Sequence, residues 1–113
     1  MRSNSESETI ELTIEQARNL IKRGESLKKL YSNKDFKNVI LEDYFKENAI
    51  RLVHLRSDPN CQNDEIQGNI LREMDGVGSL KKHFNVILAL ASRAEQDLAA
   101  AEEAREEIAA EEL

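Results

Sequence analysis

The chain has 113 residues, which is enough for one small domain, and its composition is typical of long solvated helices. Charged residues make up 34% of the sequence and hydrophobic residues 40%, with one proline and no tryptophan. The alternating Val, Ile, Thr and Tyr runs typical of strands are missing, and so is an apolar run of about 18 residues that could span a membrane. We therefore expect an all-α protein without a deep substrate or cofactor pocket.

Charge is distributed unevenly along the chain. Residues 1–17 sum to -3, 18–56 to +5, 57–94 to -1 and 95–113 to -7, for a net charge of -6. The basic middle and the acidic end attract each other, either between neighbouring copies or within one copy that folds back. The overall acidity argues against nucleic-acid binding. With Cys61 as the single cysteine and no apolar signal core at the start, we expect a cytoplasm-like milieu.

The first part of the chain predicts a flexible acidic arm followed by a helix. Residues 1–12 are rich in Ser, Glu, Asn and Thr, which bury too little apolar area to order the backbone. Thr13 and Gln16 match a capping box, so we predict that the first helix begins there and covers 13–31. Gly24 lies on its apolar stripe, where it either allows close approach of another helix or is a tolerated weak point.

A second helix is predicted over residues 35–56. The Ser32–Asp35 stretch breaks the preceding pattern and supplies cap residues, and Ser57–Asn60 ends the helix with a proline and turn-forming side chains. The apolar residues between these breaks cover more than one helix face. We therefore expect this helix to form the centre of the core.

The longest pattern begins at Asp64 and runs to about residue 110, with apolar residues at steps of three or four. The phase holds across Gly76 and Gly78, so we expect a continuous third helix, with a kink at these glycines as the alternative. The first two helices form a hairpin packed on its first half, giving a helical body at 13–91.

Beyond this body the stripe becomes alanine-rich, and the body has no surface left to cover it. We expect residues 92–113 to project as an Ala/Glu-rich, coiled-coil-like helix that meets a partner helix. The predicted partner-contact residues are Ala91, Ala94, Leu98, Ala101 and Ile108.

Residues that could hold a metal or perform catalysis are poorly placed. An EF-hand loop counted from Asp58 needs glycine and glutamate where the sequence has Asn63 and Asn69, so turn and cap roles explain this segment better. His54 and His83 are far apart, and one cysteine cannot complete a zinc site with them. No glycine precedes a Lys-Ser or Lys-Thr pair. We expect no catalytic residue, no metal and no cofactor.

Basic side chains concentrate in the first third of the sequence, interleaved with acidic ones. The residues concerned are Arg18, Lys22, Arg23, Lys28, Lys29, Lys34 and Lys37. No DNA-reading motif accompanies them, so a solvated helix face is the default interpretation. The functional alternative is a docking surface for an acidic segment, including the tail of a neighbouring copy.

Two segments, Lys34–Pro59 (KDFKNVILEDYFKENAIRLVHLRSDP) and Glu73–Leu80 (EMDGVGSL), resemble a family of small helical proteins encoded by tailed bacteriophages. The resemblance extends from residue 34 to about 90. Its residues mark helix packing and a turn rather than a chemical site, so it implies no activity. What it implies is a context, a phage particle or its assembly, in which small acidic helical proteins serve as head, neck, tail or scaffold components.

These observations together predict a non-enzymatic structural or assembly component of a tailed-phage virion. We expect it in the host cytoplasm during assembly and then in the virion, as a homo-oligomer or bound to a larger virion protein. We expect no small-molecule substrate, no membrane and no nucleic acid as partners. The alternatives are a scaffold or chaperone of phage assembly, or a small acidic regulator that binds a host protein.

Overall fold

The computed structural model describes residues 4–112, and the regular elements in this range are all helical. Helix α1 is Asn4–Ser32; α2 covers residues 34–57, as Lys34–Phe36, Lys37–Glu47 and Asn48–Ser57; a 3-10 turn follows at Pro59–Cys61; and α3 is Asp64–Glu111. The predicted all-α class is confirmed, with a helical hairpin and a long C-terminal helix. In the described part of the chain, no helix is both long and apolar enough to cross a membrane.

Helix α1 begins earlier than the sequence predicts. Thr13 is not its N-cap, because the helix starts at Asn4 and the Thr13 hydroxyl donates to a carbonyl one turn earlier, at 3.0 Å. Of the predicted arm at 1–12, residues 1–3 lie outside the described residues and the others are helical. The local composition did disfavour order, but packing of α1 against α3 supplies the stabilisation that a short isolated helix lacks.

Helices α1 and α3 contribute to two compact units, which we name by their position in the sequence. The terminal unit contains residues 4–27 and 86–112, and the central unit contains residues 28–85. In the terminal unit the partners run in opposite directions along the two helices: Glu11 pairs with Arg105, Arg18 with Glu102, and Gly24 faces Ala91. This unit is therefore an antiparallel helix pair.

The inward-facing positions of the terminal unit alternate at steps of three and four, as in a coiled coil. On α3 they are residues 87, 91, 94, 98, 101, 104 and 108, which are buried or half-buried. The antiparallel pairing of Gly24 with Ala91, continued along both helices, places Ile14 level with Ala101 and Ala17 level with Leu98. At these two levels a large side chain faces a small one, which fills the space between two closely packed backbones.

Gly24 explains how closely the two backbones approach. A Cβ atom built on Gly24 would overlap the Cβ of Ala91, so the Cβ that every other residue type carries has no room there. Of the two interpretations of this glycine, the structure supports close helix approach. The accompanying loss of helix propensity is about 1 kcal/mol relative to alanine.

The central unit has a small core where α2 packs on α3. Leu52 is fully buried, and it packs with Ile70 and Val77. Half-buried side chains surround these three: Tyr44, Phe45, Ala49, Leu55, Cys61 and Met74. Phe84 extends this core, because its ring lies 5.8–6.1 Å from the rings of Tyr31, Phe36 and Phe45.

Part of α2 is wound as a π-helix, which determines which of its side chains face inward. In Lys37–Glu47 the hydrogen bonds span five residues, as from the Asn48 N–H to the Asp43 carbonyl. The wider turn brings residues four and five apart onto one face, and the half-buried apolar and aromatic residues are Phe36, Ile40, Leu41, Tyr44, Phe45 and Ala49. Val39 falls outside this face and is 56% exposed. The helix therefore presents one inward face, and Val39 is left on its outer surface.

The connection between α2 and α3 is fixed by side-chain hydrogen bonds. Asp58 accepts from the Asn60 N–H at 2.9 Å, and Asn63 caps α3 by accepting from the Ile66 N–H at 2.8 Å. Buried Gln67 donates to the Cys61 carbonyl at 2.6 Å, and its other contacts are with Arg56. The predicted turn and cap chemistry is confirmed here. Helix α3 is also unbroken at its internal glycines, as predicted.

Candidate functional site

The predicted partner-contact residues lie inside the terminal unit and not on an open face. Ala91, Ala94, Ala101 and Ile108 are buried, Ala94 to 1% exposure, and Leu98 is half-buried. Residues 4–27 of α1 cover this stripe, which corrects the expectation of a lone projecting helix at 92–113. This prediction failed for the same reason as the predicted start of α1. The sequence predicted no helix before Thr13, so no partner within the chain was expected for the stripe.

Opposite charges in the terminal unit meet within one copy. The Arg18 guanidinium lies 3.7 Å from a Glu102 carboxylate oxygen, and that of Arg105 lies 3.5 Å from Glu11. The Arg18–Glu102 pair joins the basic middle to the acidic end within one copy, which is the fold-back arrangement that the charge distribution allowed, whereas Glu11 lies outside the basic middle. Both pairs are largely exposed, so each contributes at most about 1 kcal/mol to stability. Their main effect is on how α1 and α3 pair in the terminal unit.

The basic residues singled out in the sequence form a solvated surface. All seven, from Arg18 to Lys37, are exposed. Lys28 and Lys29 border a shallow depression with Ser32 and Asn33, at the end of α1. Their exposure agrees with the default interpretation.

The residues considered for metal binding or catalysis remain separate. His54 and His83 are exposed, and Cys61 is a free, half-buried thiol beside the core of the central unit. Over residues 4–112, no three His, Cys, Asp or Glu side chains come together as a metal site would require. The Asp58 carboxylate is engaged in the turn, where it accepts a backbone hydrogen bond.

A groove in the central unit combines apolar and cationic groups. Its volume is about 490 Å³, it is open to solvent, and it is lined by Tyr31, Leu41, Phe45, Lys46, Ala49, Ile50, Lys81 and Asn85. Ile50 is 51% exposed at its edge. Two ammonium groups and no carboxylate border it, so it suits an apolar side chain flanked by negative charge. We refer to these eight residues as the lysine groove.

The sequence predicted that three residues of α2 which are in fact exposed would belong to the core. Val39, Ile50 and Val53 are each more than half exposed, although all three belong to the apolar set that predicted a central core helix. The useful signal was the excess of apolar residues on α2, because one helix face can bury only a limited stripe and the remainder must face solvent or a partner. The contribution of Lys81, far away in sequence, had no local signal.

Comparisons of the chain with protein-family models, curated proteins and solved structures gave no match.

Proposed function

We propose that the protein is a non-enzymatic structural or assembly component, and that it works by helix-mediated association in the particle of a tailed phage. The observation that carries the proposal is the exposed apolar surface of α2 formed by Ile50 and Val53, which are three residues apart and both more than half exposed, with the lysine groove beside them. Contiguous exposed apolar surface of this kind favours a role in protein contacts. The phage context is supported by the resemblance over residues 34 to about 90.

The proposed contact surface differs from the one that the sequence suggested. The alanine-rich stripe of α3 is used within the chain, so association is assigned to the central unit. The non-enzymatic part of the proposal is supported by the sequence, in which the two histidines are isolated and no phosphate-binding loop is present.

Mass spectrometry of purified particles of the phage that encodes the chain tests the proposal. A structural component is present in many copies in finished particles. An assembly scaffold or chaperone is present in precursor shells and lost from finished ones, whereas a regulator of a host protein is absent from both. Absence from both kinds of particle would overturn the proposal.

A pair of matched variants locates the contact surface in the same assay. Ile50→Asp places a carboxylate at the edge of the lysine groove, and Val39→Asp makes the same kind of change on α2 at a site with similar exposure that does not line the groove. We expect Ile50→Asp to reduce incorporation into particles and Val39→Asp to leave it near the wild-type level. Equal incorporation of both variants would exclude the groove as the contact.

A further inference from the structure

We infer that the lysine groove binds the acidic face of α1 from a second copy of this chain. We refer to Glu8, Leu12 and Glu15 on that face as the acidic ridge. The inference rests on the proposed function, since it names the partner of the same groove. It is carried by the match between two surfaces, each of which lies within one unit.

The acidic ridge presents one large apolar group between two carboxylates. Its three members are four and three residues apart, so they lie side by side on the helix. Leu12 is 54% exposed, and it borders the same open surface as both glutamates. Arg18, which pairs with Glu102, and Lys22 also line this surface. The neighbouring Glu11 is engaged with Arg105, but no ion pair with a described residue holds Glu8 or Glu15. The ridge is therefore available to a partner.

The lysine groove has the complementary arrangement. Leu41, Phe45 and Ile50 provide an apolar surface, and Lys46 and Lys81 provide cations at its border. An exposed ion pair 3.7 Å long joins Lys46 to Glu42 on the next turn. Such exposed pairs are weak, so Lys46 can exchange this carboxylate for one from another chain.

The acidic end of α3 is a poorer occupant than the ridge, although its charge is larger. Ile108 is buried against α1, and no large apolar side chain is exposed between residues 98 and 112. That end can offer the groove carboxylates but no large apolar group. Of these two acidic segments, only the ridge presents a large exposed apolar side chain between carboxylates, which is why we assign it to the groove.

Every copy carries both surfaces, so the contact can form in two ways. Two copies can exchange ridges in a closed two-fold dimer, or the contact can repeat head-to-tail until a ring closes or a filament forms. Self-association of the purified chain is therefore expected.

Charge exchange between the two surfaces tests the inference on the full chain by light scattering. The wild type should form oligomers whose mass rises with concentration and falls with salt. We expect Lys46→Glu/Lys81→Glu and Glu8→Lys/Glu15→Lys each to weaken association by about 100-fold or more, since like charges then meet. Mixing the two variants should restore it, because each then carries the surface that the other needs.

Matched controls separate surface charge from folding. Lys28→Glu/Lys29→Glu makes the same charge change at exposed lysines outside the groove and should associate like the wild type. Leu12→Ser removes the apolar group without a charge change and should weaken association. Circular dichroism should show wild-type helicity for all variants, because every altered residue is exposed.

Three results would overturn the inference: a monomeric wild type at all accessible concentrations, undiminished association of either charge variant, or no association in the mixture. A monomeric chain that is nevertheless abundant in particles would leave the proposed function standing and assign the groove to a larger virion protein. Self-association of a chain absent from particles would refute the proposed function and leave the contact itself intact.

Discussion

Replacing Gly24 by alanine adds one methyl group at the closest approach of α1 and α3 in the terminal unit. The added Cβ would overlap the Cβ of Ala91, so the two backbones must move apart locally. Gly78 provides a matched control on α3, because a Cβ built there has nothing within 4 Å. Both substitutions replace a helical glycine by alanine, and only one of them meets an obstacle.

Two effects set the magnitude. Alanine in a helix is favoured over glycine by about 1 kcal/mol, which applies to both variants. Extra volume in a packed interior costs about 1–3 kcal/mol, which applies only at Gly24. We therefore expect Gly78→Ala to raise the free energy of unfolding by up to about 1 kcal/mol. The Gly24→Ala variant should lie about 1–3 kcal/mol below it.

Urea denaturation followed by far-ultraviolet circular dichroism measures this difference. Amide hydrogen exchange assigns it to the terminal unit, where protection in Gly24→Ala should fall while protection in the central unit is retained. The reciprocal change, Ala91→Gly, moves the missing methyl group to the other helix. The double variant should therefore be more stable than the sum of the two single changes by about 1–3 kcal/mol. Equal stability of Gly24→Ala and Gly78→Ala, or additivity in the double variant, would refute close packing at this point.

Three further changes test other parts of the structure. Leu52→Ala should lower the free energy of unfolding by about 2–5 kcal/mol, because this side chain is fully buried. Val53→Ala, at an exposed site, should change it by about 0.5 kcal/mol or less in the same denaturant titrations. Similar losses in the two variants would contradict the assigned core. Gln67→Leu should lower the free energy of unfolding by about 1–3 kcal/mol and speed hydrogen exchange in the turn before α3, because it leaves backbone carbonyls unpaired. Gln62→Leu, at an exposed site, should lower it less. The reverse order would show that Gln67 does not anchor the turn. Arg18→Gln should change stability by less than about 1 kcal/mol, with a smaller effect at high salt, since its ion pair is exposed; a larger loss would mean that this pair controls helix pairing.

The sequence predicts the helices well where apolar residues recur at regular steps. Helix α3 begins at Asp64 as expected and continues through its internal glycines, because residues three and four apart keep one phase along its length. The cap at Asn33, which accepts from the Phe36 N–H at 2.9 Å, was also predictable from local chemistry. These features depend on neighbours in the sequence.

The misjudged features depend on contacts between distant residues. The segment before Thr13 has the composition of a flexible arm, yet it is helical because residues about 90 positions later provide a surface for it. The exposure of Ile50 follows in the same way, since the preceding π-helical turns set which face of α2 meets α3. The spacing of apolar residues in the sequence is interpreted with the geometry of an α-helical turn, so it cannot reveal this change in helix winding.

The lysine groove could not be predicted from the sequence, because it also depends on residues that are distant in the chain. Lys46 and Lys81 border the same groove although 35 positions separate them, and each is an ordinary solvated lysine in its own helix. The sequence did show an acidic segment and a basic one, and it suggested that a neighbouring copy could connect them. The particular residues of this contact follow only from the folded chain.

The terminal unit is assembled from residues 4–27 and 86–112, with the whole central unit between them in the sequence. During synthesis the ribosome releases residues 28–85 before any of the second segment, so the central unit has its complete set of contacts first. The earlier segment must wait, and closing the intervening loop delays its pairing further. We therefore expect folding in two stages, in which the pairing of α1 with the end of α3 is the later and more easily reversed step. Until that step is complete, the newly made chain exposes the alanine-rich stripe that the finished protein buries.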